Sequence, residues 1–202
     1  MIVYIESNFI FELGLNREQR EHCLALLDWC EAGYIDLRLA AFAIPEARRA
    51  LRKREADRLD TVRMLKFQSG DSKRHSTEDV ATIESAREAL QSWTDREAEQ
   101  INDVMRRLLY GRVTFISLDR AALHNDEIFR AVKVLPGDGD LLIFACVMTD
   151  LVLRRSTGDT ATSLFVTGGT DFLNAKIHFK PYSCDLLTSY SAAVGRLKAQ
   201  LE

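Results

Sequence analysis

Four acidic residues stand where chemistry is commonly done. Glu6 follows the apolar run Ile2 to Ile5, and Glu46 opens a charged, helix-prone stretch. Asp140 directly precedes the apolar run Leu141 to Met148, and Asp171 follows Thr167-Gly-Gly-Thr. Carboxylates gathered in one place repel each other, and a divalent hard cation is the usual remedy. Such a cation takes oxygen ligands, keeps several waters, and commonly accepts only one or two carboxylates together with substrate phosphate. Two of them about 3.5–4 Å apart activate a water and stabilise the leaving oxygen in phosphodiester cleavage. That reaction wants carboxylates and no special nucleophile.

The competing chemistries lack their residues. There is no CxxC pair, and no histidine sits at zinc-ligand spacing from Cys23, Cys30, Cys146 or Cys184. Nothing orders the four histidines into a Ser–His–Asp or Cys–His set. There is no GxGxxG and no P-loop. Asp138-Gly-Asp140 is not an EF-hand loop, because Thr149 occupies the position that needs a bidentate glutamate.

The acids are brought together only if the right elements carry them. Ile2–Ile5, Ile35–Leu39, Val113–Ile116 and Ser163–Thr167 read as strands. Arg17–Ala32 reads as an amphipathic helix stopped by Gly33. Glu46 to about Gln68 and Thr77–Tyr110 read as two long charged helices around the polar break Ser69–Thr77, with Ser76 or Thr77 as a cap. Helices are also expected over Asp119 to Val132 and Leu141–Arg155. Between those two, 135–140 reads as a loop. Asp171–Lys176 reads as a short helix or turn, and the tail from Cys184 to Leu201 as helix. Strands alternating with helices predict an α/β three-layer sandwich around a mainly parallel sheet. Such sheets put their chemistry at the carboxyl ends of the strands.

Each acid also has a plain structural reading. Glu6 suits a strand end or cap, and Glu46 suits the positive end of a helix dipole. Asp140 and Asp171 suit N-caps. Asn8, Thr167 and Asp138 are candidates for orienting or supplementing the acids. Arg48, Arg49, Arg52 and Lys53 form the densest basic run. Beside Glu46 they could hold a nucleic-acid backbone, although a solvated charged face is the commoner use of such a run. Trp29 and Trp93 read as packing residues, and His75 and His124 as residues without a role.

Composition narrows the field. The 202 residues carry a net charge of −3, with 47% apolar and 28% charged residues, the balance of one soluble globular domain. With so small a net charge, any nucleic-acid interface must be local. The four cysteines read as buried, reduced thiols. No signal peptide or membrane span is present, which predicts a cytoplasmic protein that makes no membrane contact.

Taken in order, the pieces resemble the PIN-domain nucleases. These begin with a strand ending in Asp-x-Asn and carry a Glu at the start of a later helix. They place an Asp before a buried helix, and end a strand in Thr followed by acidic residues and Phe. Here the four pieces are Glu6-Ser7-Asn8, Ile44-Pro45-Glu46-Ala47, Asp140-Leu-Leu-Ile-Phe-Ala-Cys and Thr167-Gly-Gly-Thr-Asp171-Phe172. Glu6 replaces the usual Asp, and Gly169 stands where many members have an earlier acid. The resemblance implies a single PIN-like domain over 1–202 with an extended helical insertion at about 54–112. It implies a metal-dependent endoribonuclease using Mg2+ or Mn2+ on RNA, with DNA as the alternative substrate. Glu6, Glu46, Asp140 and Asp171 would be the catalytic metal ligands. The family's toxins would add a protein antitoxin and a homodimer; its RNA-processing enzymes would not. The Glu in place of Asp at Glu6 and the missing acid at Gly169 erode the acidic cluster and favour the other outcome, a PIN-like binding or scaffolding module without catalysis.

Overall fold

The computed structural model describes residues 1–70, 77–135 and 137–201. At its centre lie five strands: β1 (Ile2–Ile5), β2 (Asp36–Ala40), β3 (Thr114–Ile116), β4 (Ser163–Val166) and β5 (Cys184–Leu187). All neighbours are parallel, in the order β3-β2-β1-β4-β5. Val3 lies opposite Leu37 and Leu164, and Tyr4 opposite Arg38 and Phe165. Every residue of β1 is buried, which explains why it reads as an unbroken apolar run rather than an alternating one.

Eight helices of the described chain surround the sheet. They are α1 (Ser7–Gly14), α2 (Arg20–Ala32), α3 (Ala43–Gly70), α4 (Thr77–Tyr110), α5 (Arg120–Ala131), α6 (Asp138–Ser156), α7 (Lys176–Phe179) and α8 (Tyr190–Leu201). From β1 the chain lays down β2 and β3 on one side, then crosses to β4 and β5 on the other. Right-handed crossovers therefore put α1 and α2 on one face and α5 and α6 on the opposite one. α8 packs with α2, and α6 packs with α5 and against β2 and β3. This is a three-layer α/β sandwich, and it fits a PIN-like fold. The direction of winding reverses between β1 and β4, where the carboxyl ends of a parallel sheet open a crevice.

A polar network ties α6 to the sheet. The Tyr4 hydroxyl donates to Asp150 Oδ2 at 2.5 Å, and Arg38 donates to the same oxygen at 2.7 Å. Arg154 donates to the Tyr4 hydroxyl at 3.2 Å and to Asp159 at 2.8 Å. Burial, then the Asp150 hydrogen bond, pushes the Tyr4 hydroxyl well above its ordinary range, so it remains a donor.

α3 and α4 run antiparallel. Arg54 and Arg58 both reach Glu97, at 3.5 and 2.8 Å, and the Arg58 guanidinium lies 4.5 Å over the Trp93 ring. The inner half of α4 packs on α1 at Gly14, where a Cβ would come within 2.7 Å of Ile101 Cγ1. Only glycine permits that approach.

Several sequence expectations need correction. The tail is not helical from Cys184, because Cys184–Leu187 pairs with β4 and the helix begins at Tyr190. Four residues carry too little period to separate a strand from a helix, and the exposed edge of β4 decides the matter. The 135–140 loop is shorter than expected, since α6 begins at Asp138; Pro136 lies outside the described residues. The helix expected from Arg17 begins at Arg20 and ends, as expected, at Gly33, which has a φ of 85°. Trp93 is half exposed under Arg58 rather than packed in the core. All four cysteines are buried and free. The centre of the expected polar break, 71–76, with Ser76 and His75, lies outside the described residues. No described helix is long and apolar enough to cross a membrane.

Candidate functional site

Glu6 sits at the switch point, directly after β1, and is 1% exposed. It is the N-cap of α1, with Oε2 accepting from the Asn8 backbone N–H at 2.7 Å and from the Ser7 hydroxyl at 3.3 Å. Its Oε1 accepts from the Gly168 N–H at 3.1 Å, just beyond β4. The carboxylate thus clips the ends of the two central strands together. Burial raises its pKa, while the Asn8 and Gly168 N–H groups and the Asn8 and Thr167 side chains act to lower it. The extra methylene of Glu over Asp gives the side chain its reach to Gly168. Asn8 lies in the first turn of α1 and does not cap it; Glu6 does.

Glu46, Asp140 and Asp171 form a second group. Glu46 is in the first turn of α3, which leaves the carboxyl end of β2, and Asp140 is in the first turn of α6. α3 starts just beyond the carboxyl end of β2, and α6 runs back to the start of β4, so both first turns lie at the same edge as Glu6. Glu46 is raised by burial and by the Asp140 charge, against a lowering hydrogen bond from Ser7. Asp140 is raised by burial and by the Asp171 charge. Ser7 stands between Glu6 and Glu46 and has one proton to give. Glu46 Oε2 is buried with no hydrogen-bond partner. Its Oε1 lies against the backbone of Gly139, only 2.0 Å from where a Cβ would stand. Asp171 is exposed at the rim.

None of these three acids makes an ion pair with an arginine or lysine among the described residues. In donor chemistry they suit a hard divalent cation: Glu46 and Asp140 are half-buried, one Glu46 oxygen is orphaned, and each of these two is raised by burial and then by a neighbouring acid. Among the described residues, however, no three His, Cys, Asp or Glu side chains converge closely enough to hold an ion as they stand. Two carboxylates, Glu46 and Asp140, with Asp171 beside them, are what the site offers. Asp138 lies near Glu46 but is ion-paired to Arg130 on α5. Thr167 is buried, and its hydroxyl accepts from the Gly169 N–H at 3.3 Å.

The basic run lies on α3, immediately after Glu46. Arg48, Arg49, Arg52 and Lys53 are exposed and make no ion pair among the described residues. Arg54 and Arg58, further along, are both spent on Glu97.

Sequence reasoning placed Glu6, Glu46, Asp140 and Asp171 at one edge but did not separate the clip from the unpaired group. It passed over Ser7, which reads as filler in Glu-Ser-Asn. It also passed over Gly139 and over Phe42, which lies in the turn between β2 and α3 beside the site. The only clue to Gly139 was its place between two acids. Tyr190 was missed entirely. It is buried beside Gly168, has no hydrogen-bond partner for its hydroxyl, and is held well above its ordinary range by burial and by Glu6.

No protein-family model and no curated protein matches the sequence. Among solved structures, a chain in the crystal structure of VapBC2 from Rickettsia felis, bound to a DNA fragment from their promoter, is similar to this one. The identity is 14%, the match covers 93% of this chain and 98% of that chain, and the TM-score is 0.43. At that identity and TM-score the likeness assigns neither an activity nor a partner to this chain.

Proposed function

We propose that the protein is a metal-dependent endoribonuclease that holds Mg2+ or Mn2+ with Glu46 and Asp140, with Asp171 at the rim. The observation that carries this reading is the unpaired state of these acids. Glu46 Oε2 is buried without a partner, and Glu46 and Asp140 are each raised by a neighbouring acid. A bound divalent ion would supply an acidified water as nucleophile and charge for the leaving oxygen. The chain's own residues would do the rest. Ser7 donates to Glu6, and Glu6 fixes the β1 and β4 ends that frame the crevice. Arg49 and Lys53 would hold phosphates and keep the substrate's charge beside the acids. RNA rather than DNA, and a protein antitoxin or second copy as partner, rest on the PIN resemblance of the four motifs.

The second reading is a PIN-like nucleic-acid-binding or scaffolding module without catalysis. It is favoured by one observation: both oxygens of Glu6 are engaged by backbone N–H groups, so the first motif's acid is spent on structure.

Cleavage of single-stranded RNA and DNA with Mn2+ or Mg2+, wild type beside Asp140→Asn, tests the proposal, with metal binding followed by calorimetry. Removing a ligand should cost more than the 10–100-fold typical of the residues behind it, so a loss of at least about a hundredfold is expected. An active, folded Asp140→Asn protein would sink the assignment. Metal-free, inactive wild type would favour the second reading.

A further inference from the structure

A cleft of ≈ 580 Å³ opens directly beside Glu46. That is within the size range of sites that take small molecules or parts of larger ones. Phe42, Pro45 and Leu142 give it apolar walls, and the charged residues Glu46, Arg49, Lys53 and Asp138 line it too, Asp138 being ion-paired to Arg130. The sequence spacing explains the arrangement. Glu46, Arg49 and Lys53 are at i, i+3 and i+7 on α3, so one helix face carries the carboxylate and then the two cations. Arg48 and Arg52 fall on another face and do not line the cleft. Phe42 is half-buried, and its ring edge lies 3.8 Å from where a Cβ on Gly139 would stand. The ring is therefore set at the N-terminus of α6, next to Glu46.

We infer that this cleft is a nucleobase subsite, in which one unpaired base of a single-stranded RNA stacks on Phe42 while Arg49 and Lys53 hold the adjoining backbone phosphates. The inference rests on the nuclease reading and deepens it by assigning one base of the substrate to a named ring and its phosphates to named cations. Charge decides between occupants. With Asp138 held by Arg130 and Glu46 turned to Gly139, an apolar protein segment would leave Arg49 and Lys53 unmatched. A sugar-phosphate chain matches them, and its base supplies a flat apolar face for the ring. Aromatic stacking accepts any base, so the subsite fixes strandedness rather than sequence. A duplex, whose bases are already stacked on each other, offers no face to Phe42.

Binding measured without metal separates the subsite from catalysis. Fluorescence anisotropy in EDTA would compare a ten-nucleotide single-stranded RNA with an abasic sugar-phosphate chain of the same length, on the full-length protein. Wild type is expected to prefer the RNA, and Phe42→Ala to lose about tenfold in RNA affinity with little change for the abasic chain. Phe42→Trp should restore the preference. If Phe42→Ala melts well below wild type, Phe42→Leu, which keeps the apolar contact but not the flat ring, gives the same comparison. Arg49→Ala with Lys53→Ala should weaken both ligands and lower the salt slope by about 1.4, two single-strand phosphate contacts' worth; Arg48→Ala with Arg52→Ala should lower it less. Equal binding of both ligands by wild type, or RNA binding unchanged in Phe42→Ala and Phe42→Leu, would overturn the subsite and leave the cleft to a protein segment. Either result, with metal-dependent cleavage intact, leaves the nuclease reading standing. A Phe42-dependent preference with no cleavage under any metal would instead remove the nuclease reading and keep single-strand binding.

Discussion

α6 carries acids in two places, and the protein treats them differently. Asp140 and Asp150 are ten residues apart, about 15 Å along the helix. At Asp150 every charge is answered: Tyr4 and Arg38 donate to it, and Arg154 ties Tyr4 to Asp159. At Asp140 the nearest charges are Glu46 and Asp171, both negative, and Glu46 Oε2 has no partner at all. Arginine is not scarce at that end, because Arg48, Arg49 and Arg52 begin half a turn beyond Glu46. Arg48 and Arg52 lie on another face of α3, and Arg49 lines the cleft without pairing with an acid among the described residues. The lower cluster joins a helix to a sheet. The upper one keeps its repulsion, which is what a site looks like when the neutralising charge is meant to come from outside.

The comparison breaks first, and with the largest effect, at Asp150. Both partners in the Arg38–Asp150 pair are largely buried, with side chains 19% and 15% exposed. Removing Asp150 strands the buried Tyr4 hydroxyl and leaves Arg38 with Asp36 alone, at a cost of about 3 kcal/mol for the two lost hydrogen bonds. Asp150→Ala should therefore lower the denaturation midpoint strongly while leaving metal affinity unchanged. A variant as stable as wild type would show that the lower cluster is not what joins α6 to the sheet.

Glu6 tests which cluster it belongs to. As a cap and clip, its removal in Glu6→Ala loses an N-cap, about 1 kcal/mol, and strands the Gly168 N–H, about 1 kcal/mol more. Chemical denaturation should read a loss near 2 kcal/mol, with metal affinity in calorimetry changed little. The opposite result, a stable protein that no longer binds metal, would move Glu6 into the upper group.

A smaller effect, of opposite sign, is expected at Asp140. Its carboxyl is raised in the folded state by burial and then by Asp171. A carboxyl raised on folding favours the fold while protonated; that contribution is complete below the ordinary carboxylate range and is lost as pH climbs through the raised value. Metal-free wild type should therefore be the less stable protein at pH 7. The group is half exposed and screened, so Asp140→Asn should gain only about 0.5 kcal/mol, or about 1–2 °C in Tm. The gap should close as pH falls below about 4. It should also close on adding Mn2+, which stabilises only the protein that binds it. A variant melting below wild type at pH 7 without metal would mean that Asp140 is held by contacts rather than strained by charge.

Much of this was legible in the chain. Buried parallel strands read as apolar runs, so β1 and β4 were plain, and acids at their ends and at the starts of α3 and α6 followed. What was not legible was direction. Glu6 and Glu46 are the same residue type at the same sheet edge, yet one is turned to backbone N–H groups and the other to Gly139. Only the positions of Gly168 and Ser7, supplied by distant or overlooked residues, decide that. The β5 strand was hidden because its hydrogen bonds come from β4, some twenty residues earlier. Asp138 illustrates the same point. Its spacing matched the site, and a partner on a different helix, Arg130, took it away.

Gly139 gives the finest separation of the two clusters. A Cβ there would stand 2.0 Å from Glu46 Oε1 and 3.1 Å from its carboxyl carbon. The obstacle is the end of a flexible side chain, so Glu46 can swing away without disturbing the helix. Alanine also suits a helix better than glycine by roughly 0.5–1 kcal/mol in an interior position, and less in a first turn. Gly139→Ala should therefore leave stability within about 0.5 kcal/mol of wild type. Its effect should fall on the site alone, as weaker metal binding and slower RNA cleavage. Unaltered metal affinity would mean that Glu46 need not occupy its place against α6, and that Asp140 and Asp171 suffice. A large loss of stability would mean that the Glu46 carboxylate is itself structural. The upper cluster would then resemble the lower one more than its unpaired charges suggest.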